Sequence, residues 1–248
     1  MRIIRPAIAL AMMLAAASAS AQPSAPGTVR FVSVNGGLQI GTTVFSDGFV
    51  KHENEEDGRL EGRYVVDSGP SFSVSGGAML GRRLGIGVGL TRFSRSTVTT
   101  LNGSIPHPFF FNRPRSLTAD VVGLRREELT LHVRATGVVW VGRRTEVNVF
   151  GGPAVFFVKQ DLLADFTFTD EYPYDSASFD EATSDVVRGT AIGFSLGGDT
   201  AFFLSPRVGV GVTVLYSRAT VGLRSPGGDS VNGKAGGTQV GGGLRLRF

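Results

Sequence analysis

The chain lacks cysteine and is poor in lysine and in charge. It contains no Cys in 248 residues, which excludes a disulfide scaffold and a thiolate metal site. Charged residues make up 19%, against about 25% in an ordinary soluble domain. Only three residues are Lys: Lys51, Lys159 and Lys234. Soluble β proteins protect their exposed strands with charged side chains, Lys above all, so these strands are not expected to face water.

The chain also lacks an apolar run of the roughly 20 residues that a membrane-spanning helix needs. Its one apolar run, Ala7 to Ala17, follows Arg2 and Arg5 and precedes Ala19-Ser20-Ala21. Together they predict a secretory signal peptide of residues 1–21 and an exported domain of residues 22–248. If that domain enters a membrane, it must do so as a barrel. Without the signal peptide the net charge falls from +4 to about +2, and no nucleic-acid partner is expected.

Strand-like stretches with alternating side chains follow the leader. In the last stretch, Leu244, Leu246 and Phe248 share one face, whereas Gly243 and Arg245 share the other. This period of two predicts strands. Trp140 falls on the polar-face parity, and the alternation breaks near Phe156 and Phe157. The eight predicted strands cover roughly 29–46, 60–80, 84–97, 121–141, 146–163, 187–204, 208–223 and 235–248.

Short and long connections alternate between these stretches. The short ones are 81–83, 142–145 and 205–207; the long ones are 47–59, 98–120, 164–186 and 224–234. Outer-membrane barrels have short periplasmic turns and longer external loops. The sequence therefore predicts an all-β fold, a closed antiparallel up-and-down transmembrane β-barrel. Eight strands fit the pattern, and ten remain the alternative count.

The polar face of the alternating strands carries mostly Gly, Ser and Thr with a few charges, which suits a narrow lumen. Leu244, Val210 and Ile86 are therefore expected to face lipid. Unpaired buried charges are costly, so the charged groups of the lumen face are expected to form a hydrogen-bonded network. An eight-stranded interior is just wide enough for side chains to fill, which favours a plugged lumen. The network is predicted to comprise Glu128, His132, Arg134, Asp199, Arg245 and Arg247.

With its leader, alternating strands and terminal Leu244-Arg245-Leu246-Arg247-Phe248, the chain resembles small outer-membrane β-barrels of the OmpA/OmpX type. The resemblance implies that Leu244, Leu246 and Phe248 form the signal read by the barrel-assembly machinery. It implies a bacterial outer membrane, contacts with its lipids and lipopolysaccharide, and a monomer. Relatives of this type include membrane-structural proteins, adhesins, narrow channels and a few enzymes, so the fold does not decide the function.

We expect a non-enzymatic barrel with a structural or surface-interaction role. A small passive diffusion channel is the alternative, and a lipid-modifying enzyme with His132 as its candidate base is a third hypothesis. A barrel hydrolase needs a nucleophile, a base and an orienting acid within hydrogen-bond reach, and no recognisable spacing of this kind is present. No catalytic, cofactor or metal site is predicted.

Two connecting segments are unusual in composition. Residues 164–186 carry seven acidic side chains without an intervening Lys or Arg, which predicts a solvated loop; cation binding through carboxylate oxygens is the alternative. Residues 105–115 combine Phe109, Phe110 and Phe111 with Arg113 and Arg115. We expect this segment to plug the barrel mouth or pack on the lipopolysaccharide surface, with partner contact as the alternative.

Overall fold

The computed structural model describes residues 29–228 and 230–248, so the predicted signal peptide, residues 1–21, lies outside the described residues. Within the described part, no helix is long and apolar enough to cross a bilayer. The described residues form ten strands: β1 Arg30–Ile40, β2 Thr43–Glu53, β3 Glu56–Val66, β4 Gly69–Met79, β5 Leu84–Ile105, β6 Arg115–Val141, β7 Thr145–Glu171, β8 Ser176–Phe203, β9 Val208–Arg224 and β10 Ser230–Arg247.

Eight of these described strands close into an antiparallel ring in the order β4-β1-β10-β9-β8-β7-β6-β5, with β5 paired back to β4. The ring is closed where β1 pairs with β10, from Phe31 opposite Arg247 to Ile40 opposite Thr238. The predicted eight-stranded up-and-down barrel is thereby confirmed. The count of ten arises because two predicted strands are interrupted, the first at Gly41-Thr42 and the second at Asp67-Ser68.

The hairpin of β2 and β3 continues beyond the ring. β3 pairs with β5, but among the described strands β2 pairs with β3 alone. The described part of β10 before Thr238 therefore has no backbone pairing on the side that faces β2. We call this unpaired boundary, between Thr43–Glu53 and residues 230–237, the seam. The backbone hydrogen bonds that close the barrel are therefore present from Thr238 to Arg247 and absent for the residues of β10 before Thr238.

The long connections predicted as loops are largely strand, which corrects the expected boundaries. Of these connections, the described segments that remain between strands are Asn54-Glu55 and residues 106–114, 172–175 and 225–228. Asn54 and Glu55 both have positive φ, 53° and 63°, as a tight hairpin turn requires. The predicted loops that are strand in the structure have a polar composition, which suggested loops. Their side chains nevertheless alternate between the two faces of the wall, and the polar ones cover the outside of the barrel.

The polarity of the wall inverts along each long strand. In β5, Ile86 and Val88 point outward and are more than half exposed, whereas further along Leu101 and Ile105 point inward and are buried. The outward positions change from apolar to charged between Leu90 and Arg92. The same change occurs on other strands between Glu127 and Leu129, Phe157 and Lys159, and Tyr216 and Arg218.

Below the inversion the barrel exterior is apolar; we call this part the membrane band. On β9 it runs from Val208 to Tyr216, close to the 9–11 residues that a membrane-spanning strand needs. Leu244, Val210 and Ile86 point outward as predicted, with exposures of 54%, 43% and 56%. Trp140 also faces outward, because the pairing of β6 with β7 shifts register between Val138 and Trp140.

Above the inversion the barrel has a polar exterior and an apolar interior; we call this part the extension. It is packed like a soluble barrel, since apolar area removed from water there contributes about 25 cal/mol per Å². Tyr64 and Phe45 stack in it with ring centroids 4.8 Å apart. Its buried apolar residues are Phe45, Leu60, Tyr64, Val66, Phe93, Leu101, Ile105, Leu117, Leu124, Leu162, Leu163, Phe166 and Val231.

The inversion predicts different responses to the same substitution on the two parts of the wall. Val133 in the membrane band and Val98 in the extension both point outward and are 53% and 49% exposed. Val133→Arg is expected to lower the unfolding free energy in lipid vesicles by roughly 2–4 kcal/mol, the cost of Arg near the bilayer midplane. Val98→Arg should change it little because it faces water. Equal effects in urea titrations followed by tryptophan fluorescence would contradict the placement of the band.

Candidate functional site in the barrel lumen

A cluster around Arg245 ties together four strands in the lower lumen. The guanidinium of Arg245 forms an ion pair with Asp199 of β8 and donates to Asn35 Oδ1 of β1 at 2.7 Å. It also donates to Thr213 Oγ1 of β9 at 2.8 Å, and Thr213 in turn donates to Asp199 at 2.6 Å. Arg245 is buried. Its charge is therefore neutralised and its donors are satisfied, as a buried ion requires.

A second ion pair lies beside this cluster, nearer the short turns. Arg247 pairs with Glu146 at the start of β7 and lies 3.6 Å from the ring centroid of Phe203. Asn148 Nδ2 donates to the other carboxylate oxygen of Glu146 at 2.8 Å. Glu146 was not among the predicted lumen residues. Because Glu146 comes directly after the 142–145 turn, the sequence does not indicate whether its side chain points into the lumen or outward.

Glu128 finds its partner on its own strand. Arg126 Nε donates to Glu128 Oε1 at 2.7 Å, and the backbone N–H of Gly236 donates to the other oxygen at 2.9 Å. Arg126 is fully buried and also reaches the backbone oxygen of Lys234 at 2.8 Å. Arg126 was missed in the sequence, although two residues from Glu128 it must share the same face of a strand.

His132 and Arg134 have few partners. Thr91 Oγ1 lies 3.1 Å from Nε2 of the fully buried His132, whose Nδ1 has no hydrogen-bond partner among the described residues. Arg134 makes neither a hydrogen bond nor an ion pair with any side chain or backbone group in the part of the chain the structure describes, and its Nε is buried. The carbon of its guanidinium lies 4.5 Å from the centroid of Phe150.

The structure thus places all six predicted residues inside the barrel but does not join them into one network. Arg245 and Asp199 meet each other, Arg247 meets Glu146, and Glu128 meets Arg126. His132 and Arg134 stand apart from these pairs. Partner choice across a lumen depends on strand register and tilt, which a sequence pattern does not specify.

Two glycines make room for the long lumen side chains. A Cβ at Gly89 would lie 2.9 Å from the guanidinium carbon of Arg134, and a Cβ at Gly211 would lie 2.9 Å from Nε of Arg245. Both distances are far below ordinary van der Waals contact. The alternation of Gly with apolar residues on β5 and β9 therefore has a steric cause, since each arginine lies flat against a strand that has no side chain there.

Among the described residues, a pocket of about 350 Å³ lies beside Thr238, lined by Phe93, Glu128 and Gly236, and the lower lumen contains a larger cavity. The larger cavity, about 540 Å³, lies at the end with the short turns and extends up to Arg134. A void of about 20 Å³ lies beyond Arg134. Further up, an apolar cluster crosses the interior and continues into the core of the extension. Its members are Ala154, Phe156, Val158, Ala219, Val221, Leu223 and Ala235.

Phe156 and Phe157 fall on opposite sides of the wall, with Phe156 fully buried and Phe157 45% exposed. Their pairing with Ala191 and Thr190 on β8 is in regular register. The expected break in alternation is therefore absent at these two residues. The lumen face itself is apolar at this height, which is why the pattern of residue types changes there.

At the outer end, the acidic segment is paired with neighbouring hairpins. Asp165 binds Lys51 at 3.1 Å, Asp170 binds the buried Arg115 at 2.7 Å, and Asp175 lies 3.3 Å from Arg113. The backbone N–H of Phe166 and the ammonium of Lys51 hold the pKa of Asp165 below its ordinary value. Most acidic side chains of 164–186 are exposed as expected, but the segment is not a loop outside 172–175, because β7 and β8 pair up to Glu171 and Ser176. Among the described residues, no group of three potential ligands could hold a metal ion.

Of the two placements expected for segment 105–115, a plug in the barrel mouth is wrong for its three phenylalanines. Phe109, Phe110 and Phe111 lie at the outer end and are 66%, 54% and 71% exposed. Tyr172, from the neighbouring hairpin, is exposed close by, and Tyr174 lies 5.0 Å from Phe109. We call Phe109, Phe110, Phe111 and Tyr172 the aromatic tip. His107 anchors it, since its Nδ1 accepts hydrogen bonds from the backbone of Phe109 and Phe110.

Solved outer-membrane proteins are similar to this chain in fold. The outer membrane protease OmpT from Escherichia coli is 8% identical, with a TM-score of 0.50, over 92% of this chain and 99% of that one. Neisserial surface protein A is 11% identical over 88% and 97%, with a TM-score of 0.43. OprG from Pseudomonas aeruginosa is 14% identical over 88% and 95%, with a TM-score of 0.41.

No protein-family model and no curated protein sequence matches the chain. At 8% identity, the likeness to the protease OmpT shows the fold alone, and that fold is an outer-membrane β-barrel.

The Arg245 cluster predicts a large stability effect from one substitution. Arg245→Met leaves Asp199 buried without its cation, and it is expected to lower the unfolding free energy by about 3–5 kcal/mol. Adding Asp199→Leu should recover part of the loss, since it removes the orphaned charge. The exposed Arg188→Met serves as the control. Unfolding would be followed by the heat-dependent gel shift of folded barrels and by urea titration; an Arg245→Met barrel as stable as the control would refute the assignment.

Proposed function

We propose that residues 22–248 form a monomeric integral barrel of the OmpA/OmpX type in a bacterial outer membrane, exported with a cleaved signal peptide. Its role in this proposal is structural or one of surface interaction, and neither enzymatic nor transporting. The membrane band and the fold support the location. The assembly machinery would read Leu244, Leu246 and Phe248; Leu244 faces outward in the membrane band.

The observation that carries the proposal is the aromatic tip at the end of a braced extension. On β7 the extension runs from Lys159 to Glu171, which is 13 residues or roughly 40 Å of strand. Ion pairs of Lys51, Arg113 and Arg115 with the β7–β8 hairpin brace its outer end. Monomeric proteins rarely expose apolar patches of this kind unless they contact a partner or membrane.

Basic residues around the barrel support contact with lipopolysaccharide. Just above the membrane band, outward-facing Arg and Lys side chains come from six successive strands of the ring, where anionic headgroups would lie. Guanidinium and ammonium groups bind phosphate well. These residues are Arg92, Arg125, Lys159, Arg188, Arg218 and Lys234.

The packed stretch above the lower cavity supports a structural role over a channel. Arg126, Gln160, Phe156 and Tyr64 are all fully buried and lie between the lower cavity and the outer end. An interior packed in this way leaves no continuous water-filled path through which ions could pass. For the enzyme hypothesis, His132 has Thr91 as its hydrogen-bond partner but no carboxylate to orient it among the described residues, which argues against a base.

The purified protein is accordingly expected to show no steady conductance in planar bilayers. A variant with Phe156→Gly and Val158→Gly opens the apolar cluster and serves as the sensitivity control, since it should raise the frequency of transient openings. Large stable currents from the unmodified protein would reject the closed barrel and favour the diffusion channel.

The aromatic tip is expected to mediate adhesion. Bacteria producing the triple variant Phe109→Ser, Phe110→Ser, Phe111→Ser should lose at least tenfold in adherence to immobilised host and bacterial surfaces, because the exposed apolar contact is removed. Val50→Ser, another exposed apolar site in the extension at 64%, is the matched control. If adherence is the same for wild type, triple variant and cells without the protein, the surface-interaction role fails.

A further inference from the structure

The cavity at the short-turn end has the properties of a ligand site. Its volume of about 540 Å³ falls within the range of roughly 300–1,000 Å³ typical of small-molecule pockets. Phe31 and Phe203 contribute aromatic surface to its wall, and Leu80, Gly81 and Arg82 lie at its mouth. The mouth is formed at the short turns, so access is from the periplasmic side.

The charges that line the cavity do not balance. Its two carboxylates, Asp199 and Glu146, are already bound by Arg245 and Arg247. Arg134 remains: Asp199 lies near enough to act on its charge, but no described residue accepts a hydrogen bond from it or forms an ion pair with it. The interior of the site thus holds one buried positive charge in excess.

Arg134 is held in place without a counter-charge in direct contact with it. Its side chain is more than nine-tenths buried, between the ring of Phe150 on one side and the bare backbone of Gly89 on the other. The packing fixes the guanidinium plane, while its donors have no protein acceptor. A buried unpaired charge is strongly unfavourable unless an opposite charge approaches it. Asn148, which also lines the cavity, has its Oδ1 buried without a partner.

We propose that this cavity binds a small organic monocarboxylate, with its carboxylate on Arg134 and its apolar body against Phe31 and Phe203. A ligand with one negative charge would neutralise the one excess cation. A carboxylate can accept two parallel hydrogen bonds from a planar guanidinium. The aromatic wall favours an apolar body over a free inorganic ion. The site does not depend on the aromatic tip or on the proposed surface role.

The binding test uses fluorinated probes that differ only in charge. Fluorine NMR titrations of the refolded protein in zwitterionic micelles would compare 4-fluorobenzoate with the neutral 4-fluorobenzamide. Saturable binding of the benzoate, at least tenfold tighter than the amide, is expected for the wild type and for the exterior control Arg188→Met. Arg134→Met should lose at least tenfold in affinity for the benzoate.

Two results would overturn the binding proposal. One is benzoate binding that is absent from the wild type or unchanged in Arg134→Met. The other is displacement of the benzoate by an equal concentration of inorganic phosphate, which would reduce the cavity to a simple anion site without use for an apolar body.

A stability measurement separates a ligand anchor from a structural residue. Arg134→Met removes an unpaired buried charge, so its urea midpoint should equal or exceed that of the wild type. Arg245→Met leaves Asp199 buried without its cation and should therefore unfold at a lower urea concentration. If Arg134→Met is destabilised as strongly as Arg245→Met, or does not fold, then Arg134 is a structural member of the lumen and the proposal is wrong.

Discussion

Closure of the backbone hydrogen-bond ladder between the first and the last strand is the constraint on which the rest of this structure depends. In a bilayer each unpaired backbone N–H or C=O costs several kcal/mol, so a spanning sheet has no free edge. Here Phe31 to Ile40 pairs with Thr238 to Arg247, across nearly the whole length of the chain.

Closing eight strands makes a narrow interior, and that narrowness determines what the lumen can contain. Long charged side chains fit only where the facing strand has no side chain, as at Gly89 and Gly211. Each buried charge then needs a counter-charge within reach. Arg245, Arg247 and Arg126 each have one in the wall itself. The lower lumen is lined by paired charges, whereas the upper lumen is filled by apolar side chains.

Much of the fold could be predicted because a lipid-facing wall imposes a strict period of two. The strand count, the short turns and the outward direction of Leu244, Val210 and Ile86 follow from it. The extent of the strands could not, since stretches such as 164–186 carry polar side chains in a part of the wall that faces water. Composition suggests a loop there, whereas hydrogen bonding between β7 and β8 continues to Glu171 and Ser176.

The candidate site was harder to predict than the wall. Its residues were found from their parity, but Trp140 was assigned to the wrong face because a register shift is invisible in sequence. Arg126 and Glu146 were missed, and the pairing of Arg245 with Asp199 depends on contact between β10 and β8 across β9. The excess charge at Arg134 emerges only after the other pairs are known.

The seam between β2 and β10 has a consequence for how such a protein can change over evolutionary time. The hairpin of Thr43–Glu53 and Glu56–Val66 is attached to the wall by one backbone edge, β3 to β5. Its other edge is held by side chains, such as Phe45 packed with Val231 and Ser225 bonded to Asp47 at 2.7 Å. Insertions, deletions or exchange of this hairpin leave every hydrogen bond of the membrane-spanning ring in place. The external surface can therefore change without a change in the hydrogen bonding of the membrane-spanning wall.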